Sequence, residues 1–182
     1  MAKNYIKLNI GICGESGDNV CGVEAYDNAK ILGNEIAKNK AILITSATEG
    51  FSLWSSIGAK EENGFVVSIS PAANKKEHEE VYRLSDEYTD LMIFSGFGFP
   101  GRDLLFIRSC DAIVIGCGQR DLIYQFSLAM HSNKPIGVLE GDWYACNAIK
   151  IIMSETDKNN NNVIFEKDPK ILVDKLIEKI KN

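Results

Sequence analysis

Short apolar runs alternate with longer segments of helical periodicity along the whole chain of 182 residues. The apolar runs predict strands at 6–13, 41–45, 65–70, 91–95, 112–115, 136–139 and 163–165. Between them, apolar residues spaced by three or four positions predict helices at 24–39, 51–62, 102–109, 122–132, 143–154 and from Asp168-Pro169 onward. Two polar segments are less regular: 73–86 is predicted as a helix or a mobile loop, and the asparagine-rich 158–162 as a mobile loop.

The alternation of strand and helix indicates the fold class. Several predicted strands are continuous apolar runs, which is typical of strands buried on both faces of a parallel sheet. We therefore expect an α/β protein with a doubly wound, Rossmann-like parallel sheet of 6–7 strands and helices on both faces. No linker, repeat or second core interrupts the pattern, so residues 1–182 are expected to form a single domain.

The composition and charge of the chain indicate which classes of binding partner are not expected. The chain is 45% hydrophobic and 25% charged, with a formal net charge of −5 and no long basic run. Nucleic acid and anionic lipid are therefore not expected partners. No apolar run is long enough to span a membrane. Since the N-terminus shows no signal-peptide pattern, we expect a cytoplasmic protein.

The cysteines and histidines form no pattern of a metal or redox site. The five cysteines are scattered without a Cys-x-x-Cys pair, which indicates reduced thiols rather than a disulfide framework. Cys13 and Cys117 come at strand ends, where a thiol is either reactive or a small packing residue. His78 and His131 are far apart in sequence. We therefore expect neither a metal site nor a cofactor.

Small and polar residues follow four of the predicted strands. Ligands of parallel sheets bind beyond the carboxyl ends of the strands, where backbone N–H groups at helix N-termini attract anions. These loops are therefore candidates for holding a phosphate; the alternative is that strand-to-helix turns need small residues in any case. The candidate ligand- or phosphate-binding residues are Gly14, Glu15, Ser16, Thr45, Ser46, Gly50, Gly118, Arg120 and Asp121.

Two local motifs fall short of a known site. The segment 96–101 matches G-x-G-x-x-G, but Pro100 interrupts it and the predicted helix is short, so a dinucleotide site is not expected. The segment 14–18 lacks the last glycine of a nucleophile elbow, so a serine hydrolase is not expected. Arg102 follows the first of these segments and is either placed to bind a phosphate or carboxylate, or a solvated surface arginine.

Residues spaced along the chain match a family pattern. The first predicted helix carries small and apolar residues at fixed positions. It is followed by a small-residue loop, a glycine–alanine pair, a proline that ends a strand, and an arginine nine residues before Asp111-Ala112. These are Tyr26, Ala29, Leu32, Gly33, Ile36 and Ala37, then 45–50, Gly58-Ala59, Pro71 and Arg102. The pattern resembles the Lonely Guy and lysine decarboxylase-like family. This family is one of a wider set of Rossmannoid nucleotide-binding proteins that includes the DprA-like proteins and the molybdenum cofactor carriers.

The resemblance implies a phosphate loop after the fifth strand and a catalytic arginine–glutamate pair, as in the family's phosphoribohydrolases. Arg102 takes the arginine position and Gln125 the glutamate position, so these are the catalytic candidates. Asp121 and Leu122 stand where the family's phosphate loop has glycine and threonine. A neutral amide neither activates a water nor stabilises an oxocarbenium-like centre as a carboxylate does, so we expect impaired hydrolysis.

Several functions remain open at this point. The first is a nucleotide or nucleotide-derivative binding protein without hydrolysis. The second is a nucleoside 5′-monophosphate phosphoribohydrolase that uses other groups, such as Glu15 or Glu49. The third is a molybdenum cofactor carrier-like protein, and the fourth a domain with a role in assembly alone. The family also implies a homodimer, and the helix that carries Phe51, Trp54 and Ile57 has more apolar bulk than one face needs.

Overall fold

The computed structural model describes residues 6–15, 21–156 and 160–181. Its strands are β1 (Asn9–Cys13), β2 (Ile42–Thr45), β3 (Val66–Ser70), β4 (Leu91–Phe94), β5 (Ala112–Ile115), β6 (Ile136–Leu139) and β7 (Val163–Glu166). Its helices are α1 (Val23–Lys38), α2 (Phe51–Glu61), α3 (Lys75–Glu80), α4 (Gly98–Ser109), α5 (Arg120–His131), α6 (Tyr144–Thr156) and α7 (Pro169–Lys181). None of the described helices is long and apolar enough to cross a membrane.

The seven strands form one parallel sheet in the order β4-β3-β2-β1-β5-β6-β7, which confirms the predicted α/β Rossmann-like fold. The chain first builds outward from β1 to β4 and then crosses to β5 on the other side of β1. Neighbouring strands β1 and β5 therefore lead into helices on opposite faces of the sheet. This is the topological switch point, where open parallel sheets leave a crevice for a ligand.

Apolar side chains cover both faces of the sheet. On one face Ile10 and Ile12 of β1 pack with α1, α2 and α7. On the other face Ile113 and Ile115 of β5 pack with α4, α5 and α6. This two-sided burial is the physical reason for the continuous apolar strands of the sequence.

Two elements differ from the predicted boundaries. Helix α4 begins at Gly98 rather than at 102, because Pro100 lies in its first turn, where the missing proline N–H has no partner to lose. Helix α3 forms inside the ambiguous segment 73–86, with the Asn74 side chain accepting a hydrogen bond from the Glu77 N–H at 3.0 Å. Part of the loop predicted at 158–162 lies outside the described residues.

Helices α1 and α2 touch backbone to backbone at two glycines. A Cβ on Gly33 would overlap the carbonyl of Ser55, and a Cβ on Gly58 would overlap the carbonyl of Lys30. Two of the glycines in the family pattern are therefore required by this helix contact, independently of any ligand.

The apolar residues of α2 are largely used within one chain. Phe51 is fully buried in the core, and the ring of Trp54 stacks on that of Tyr26 with a centroid distance of 6.1 Å. The excess apolar bulk from which a homodimer was expected is therefore smaller than the sequence suggests, and the homodimer stays a prediction.

Candidate functional site

A cavity of about 380 Å³ opens at the carboxyl edge of the sheet, beside the switch point between β1 and β5. Its volume lies in the range of small-molecule sites. It is lined by the loops after β1 and β2 and by the first two turns of α4 and α5. The lining residues are Gly14, Glu15, Ser46, Thr48, Phe99, Pro100, Arg102, Asp103, Asp121, Leu122, Tyr124 and Gln125.

Arg102 is a buried residue of this cavity, with only 3% of its surface exposed, so the alternative of a solvated surface arginine is wrong. Because α4 begins earlier than predicted, Arg102 lies in its second turn and its guanidinium faces the sheet. The Nε–H donates to Asp103 at 2.8 Å, and Nη1 donates to the carbonyls of Ser46 and Ile69. The guanidinium also lies 5.4 Å from the centroid of the Phe99 ring. None of the described hydrogen bonds uses Nη2.

Arg102 and Asp103 form an ion pair that is withdrawn from water. Burial lowers the pKa of Arg102, against the opposing effect of Asp103. Burial likewise raises the pKa of Asp103, although Arg102 and a hydrogen bond from Gln125 both lower it. The positive charge of Arg102 is thus matched by its neighbour before any ligand binds.

Gln125 lies on the same face of α5 as Asp121, four residues apart, and lines the cavity with 6% of its surface exposed. Its Oε1 is buried and has no hydrogen-bond partner among the described residues. An unpaired buried acceptor costs free energy, which a hydrogen-bond donor on a ligand would recover.

Most of the predicted binding residues lie at the cavity or beside it. Gly14, Glu15, Ser46 and Asp121 line it, as do the two catalytic candidates. Arg120 lies at an adjacent opening of about 390 Å³, together with Gln119 and Tyr144. The loops after β1, β2 and β5 therefore meet at one edge of the sheet, and their role in binding a ligand stays a prediction.

The other predicted binding residues have backbone or packing contacts instead. Thr45 is buried, with its hydroxyl 2.9 Å from the Ser68 hydroxyl. Gly50 precedes α2 with a positive φ of 64°. The carbonyl of Gly118 accepts a hydrogen bond from the Ala145 N–H at 3.0 Å. Ser16 lies outside the described residues.

Several lining residues were not predicted from the sequence, among them Thr48, Phe99, Asp103 and Tyr124. For Phe99, Asp103 and Tyr124, the signal that could have found them is their position around the helix. Once α4 and α5 are given their observed starts, positions three or four residues apart share the face that carries Arg102 or Asp121. Glu49, considered as a replacement carboxylate, does not line the cavity, and its Oε1 accepts a hydrogen bond from the Ser85 N–H at 3.2 Å.

Two cysteines that were expected to be reduced thiols form a disulfide. Cys21 precedes α1 and Cys117 follows β5, and their sulfurs are bonded although 96 residues separate them in sequence. Cys13 is a buried packing residue, and burial raises the pKa of its thiol well above the usual range, so it is not a reactive thiolate. Among the described residues, no group of three or more His, Cys, Asp or Glu is arranged to hold a metal ion.

We expect alkylation of unfolded protein, purified without reductant, to label only the three free cysteines Cys13, Cys110 and Cys146. After reduction, all five cysteines should be labelled. Peptide mass spectrometry measures both states. Labelling of Cys21 and Cys117 before reduction would show that the pair is not oxidised in the purified protein.

Comparison with known proteins gives a family and a set of similar folds. The model of the SLOG cluster4 family matches residues 7–173. The structure of a molybdenum cofactor binding protein from Rippkaea orientalis is similar with a TM-score of 0.81, 23% identity, and coverage of 98% of this chain and 100% of that chain. The molybdenum cofactor carrier protein of Chlamydomonas reinhardtii is similar with a TM-score of 0.76 and 24% identity, over 95% of this chain and 99% of that chain. The sequence matches no curated protein.

A third similar structure bears on the expected partners. DNA processing protein A from Helicobacter pylori, described for its single-stranded DNA binding mode, is similar with a TM-score of 0.67 and 17% identity, over 94% of this chain and 81% of that chain. At these identities the likeness shows the fold alone. The expectation that this chain has no nucleic-acid partner therefore gains no support from the comparisons and rests on its charge.

Proposed function

The chain belongs to the SLOG cluster4 family, whose superfamily includes the Lonely Guy and DprA-like Rossmannoid proteins, and from this we propose that it binds a small phosphate-bearing ligand. The class of ligand is a nucleotide or a nucleotide derivative. The observation that carries the proposal is the cavity of about 380 Å³ at the switch point of the sheet, with the buried Arg102 in its wall.

The N-terminus of α5 is the favoured place for the phosphate. Within the part of the chain that the structure describes, the residue before its first turn, Gln119, makes no side-chain capping hydrogen bond. The free N–H groups and the helix dipole attract an anion there, and Arg120 stands at the same opening. Glu15, Asp103 and Asp121 would repel a phosphate inside the main cavity. The phosphate therefore belongs at the opening lined by Gln119, Arg120 and Tyr144, which none of these carboxylates lines, and the uncharged part of the ligand belongs in the main cavity.

A molybdenum cofactor carrier is the second candidate. It is favoured by the likeness to the proteins from Rippkaea orientalis and Chlamydomonas reinhardtii, which spans almost the whole of each chain. Both candidates require the same cavity and differ in the ligand that fills it. A phosphoribohydrolase is a weaker candidate, because Gln125 replaces the family's carboxylate.

Native mass spectrometry of freshly purified protein tests the proposal. A co-purified mass matching a nucleotide supports the first candidate, and a pterin-type absorbance that is lost on unfolding supports the second. The proposal is wrong if the purified protein carries no small molecule and binds neither a nucleotide nor a pterin when titrated.

Arg120→Ala is expected to weaken the binding of a nucleoside 5′-monophosphate about tenfold, because it removes one charge-assisted contact worth roughly 1.5 kcal/mol. Arg108→Ala is the matched control, since Arg108 is an exposed arginine in the last turn of α4. Isothermal titration calorimetry measures both. An equal loss in the two variants would mean that only net charge matters, and not a site at α5.

A single domain over residues 1–182, a homodimer and a cytoplasmic location complete the proposed description. The uninterrupted strand–helix pattern supports the first and the family resemblance the second, whereas the Cys21–Cys117 disulfide is more typical of an oxidising compartment than of the cytoplasm.

A further inference from the structure

The wall of the main cavity is rich in hydrogen-bond acceptors. Three carboxylates line it, those of Glu15, Asp103 and Asp121, against one arginine, and that arginine is already paired with Asp103. Asp121 lies close enough to Asp103 to raise the pKa of that carboxyl. Ionised carboxylates accept hydrogen bonds and donate none. A ligand group that faces these carboxylates must therefore bring donors.

Gln125 supplies an independent observation of the same kind. Its side chain lines the cavity, is more than nine-tenths buried and leaves Oε1 without a partner among the described residues. The terminal amide torsion is broad and roughly two-fold, so a small rotation lets Oε1 accept from a bound group. A hydrogen-bond donor on a ligand would therefore satisfy Gln125 Oε1, for which the described residues provide no donor.

Aromatic and apolar side chains line the same cavity. Phe99 and Tyr124 are partly exposed there, beside Pro100 and Leu122. Aromatic faces of this kind stack flat rings, and every nucleobase or pterin has such a face. The donors required by the acceptor wall are therefore best carried on the edge of a flat heteroaromatic ring.

We propose, on the basis of the function proposed above, that the cavity recognises the 2-amino-4-oxo-pyrimidine edge that guanine and pterins share. This edge presents a ring N–H and an amino group side by side, which match the two oxygens of a carboxylate such as Asp121. The neighbouring exocyclic carbonyl oxygen accepts from Arg102 or Thr48, whose donors line the same cavity. One chemistry then accounts for both candidate ligands, the nucleotide and the molybdenum cofactor.

Related rings fit the acceptor wall less well. Hypoxanthine keeps the ring N–H and the oxygen but lacks the amino group, and so leaves one acceptor unpaired. Adenine turns a ring nitrogen acceptor toward the carboxylate, where two acceptors repel. A polar group that the bound ligand shields from water and leaves without a partner discriminates strongly between similar ligands.

Calorimetric titration with GMP, IMP and AMP tests the inference, with neopterin and the lumazine that carries the same trihydroxypropyl side chain, and so differs only in having an oxo group for the amino group, as the second pair. We expect GMP to bind at least about tenfold more tightly than IMP or AMP if the source is a nucleotide. We expect neopterin to exceed lumazine by a similar ratio if the source is a pterin. The pair with the higher affinity identifies the source.

Asp121→Asn shows whether the preference arises in this cavity. The variant loses the charge and one acceptor oxygen, and the ratio of GMP to IMP affinity, or of neopterin to lumazine, should fall to about threefold or less. Asp174→Asn, an exposed acid on α7, should keep the full ratio. Asp121 is exposed on the first turn of α5, so its replacement is compatible with folding.

The outcomes separate this inference from the function on which it rests. If no nucleotide and no pterin binds, the proposed function fails. If ligands bind but the members of each pair bind equally, or if Asp121→Asn leaves the ratio unchanged, the proposed function stands and ring-edge recognition at Asp121 is overturned.

Discussion

Gly58→Ala is expected to lower the free energy of unfolding by about 3 kcal/mol, at the upper end of the usual cost of overpacking. Alanine is the better helix former by about 1 kcal/mol, so helix propensity alone predicts the opposite sign. The Cβ of alanine at this position overlaps the backbone carbonyl of Lys30 in α1. Backbone yields less readily than a side chain, so α1 and α2 must move apart and lose packing along their contact.

Urea unfolding measures the effect as a lower midpoint with an unchanged slope. Gly22→Ala is the matched control, because Gly22 is exposed before α1 and a Cβ there meets nothing within 4 Å. Its cost should be about 1 kcal/mol or less, which reflects only the cap position. A Gly58→Ala protein as stable as the wild type would mean that the two helices do not touch at this residue.

The fold was predictable because its determinants are local and repeated. The two-sided burial of β5 and β6 appears in the sequence as continuous apolar runs, and both strands have the predicted bounds, 112–115 and 136–139. The start of α4 was wrong because Pro100 was taken as an interruption, whereas a proline in the first helical turn is tolerated. The error in the predicted start of α4 is therefore one helical turn.

The site was predictable in its loops but not in the orientation of their side chains. The loops after β1, β2 and β5 converge because the carboxyl ends of parallel strands lie at one edge. Adjacent residues at the end of a strand point in different directions, so Ser46 lines the cavity while the hydroxyl of Thr45, the last residue of β2, is hydrogen-bonded to that of Ser68. The pairing of Cys21 with Cys117 depends on the crossover from β4 to β5, which sequence spacing does not encode.

Hydrolysis of nucleoside 5′-monophosphates is expected at turnover numbers below about 10⁻² s⁻¹. Ordinary enzymes turn over at about 10 s⁻¹, and a general acid–base group contributes roughly 10² to 10⁴ in rate. The position of the family's catalytic glutamate is held by Gln125, whose neutral amide neither activates a water nor stabilises positive charge on the ribose. Arg102, the other member of the pair, is bound to Asp103 and to backbone carbonyls.

Incubation with a panel of these nucleotides, followed by chromatographic measurement of the free base, gives the rate. Release near 1 s⁻¹ would show that another group carries the chemistry. Glu15 is then the leading candidate because it lines the cavity, whereas Glu49 does not. Glu15→Gln should abolish such activity, and Glu49→Gln serves as its control.

Restoring the carboxylate by Gln125→Glu is expected to increase the rate by less than about tenfold. Gln125 hydrogen-bonds to Asp103, so a second carboxylate at that position lies against a like charge, which disfavours its ionisation. Asp121 and Leu122 still replace the glycine and threonine of the family's phosphate loop, so the substrate also remains poorly positioned. A gain of about 100-fold or more in this single variant would show that the amide alone had silenced an otherwise intact active site.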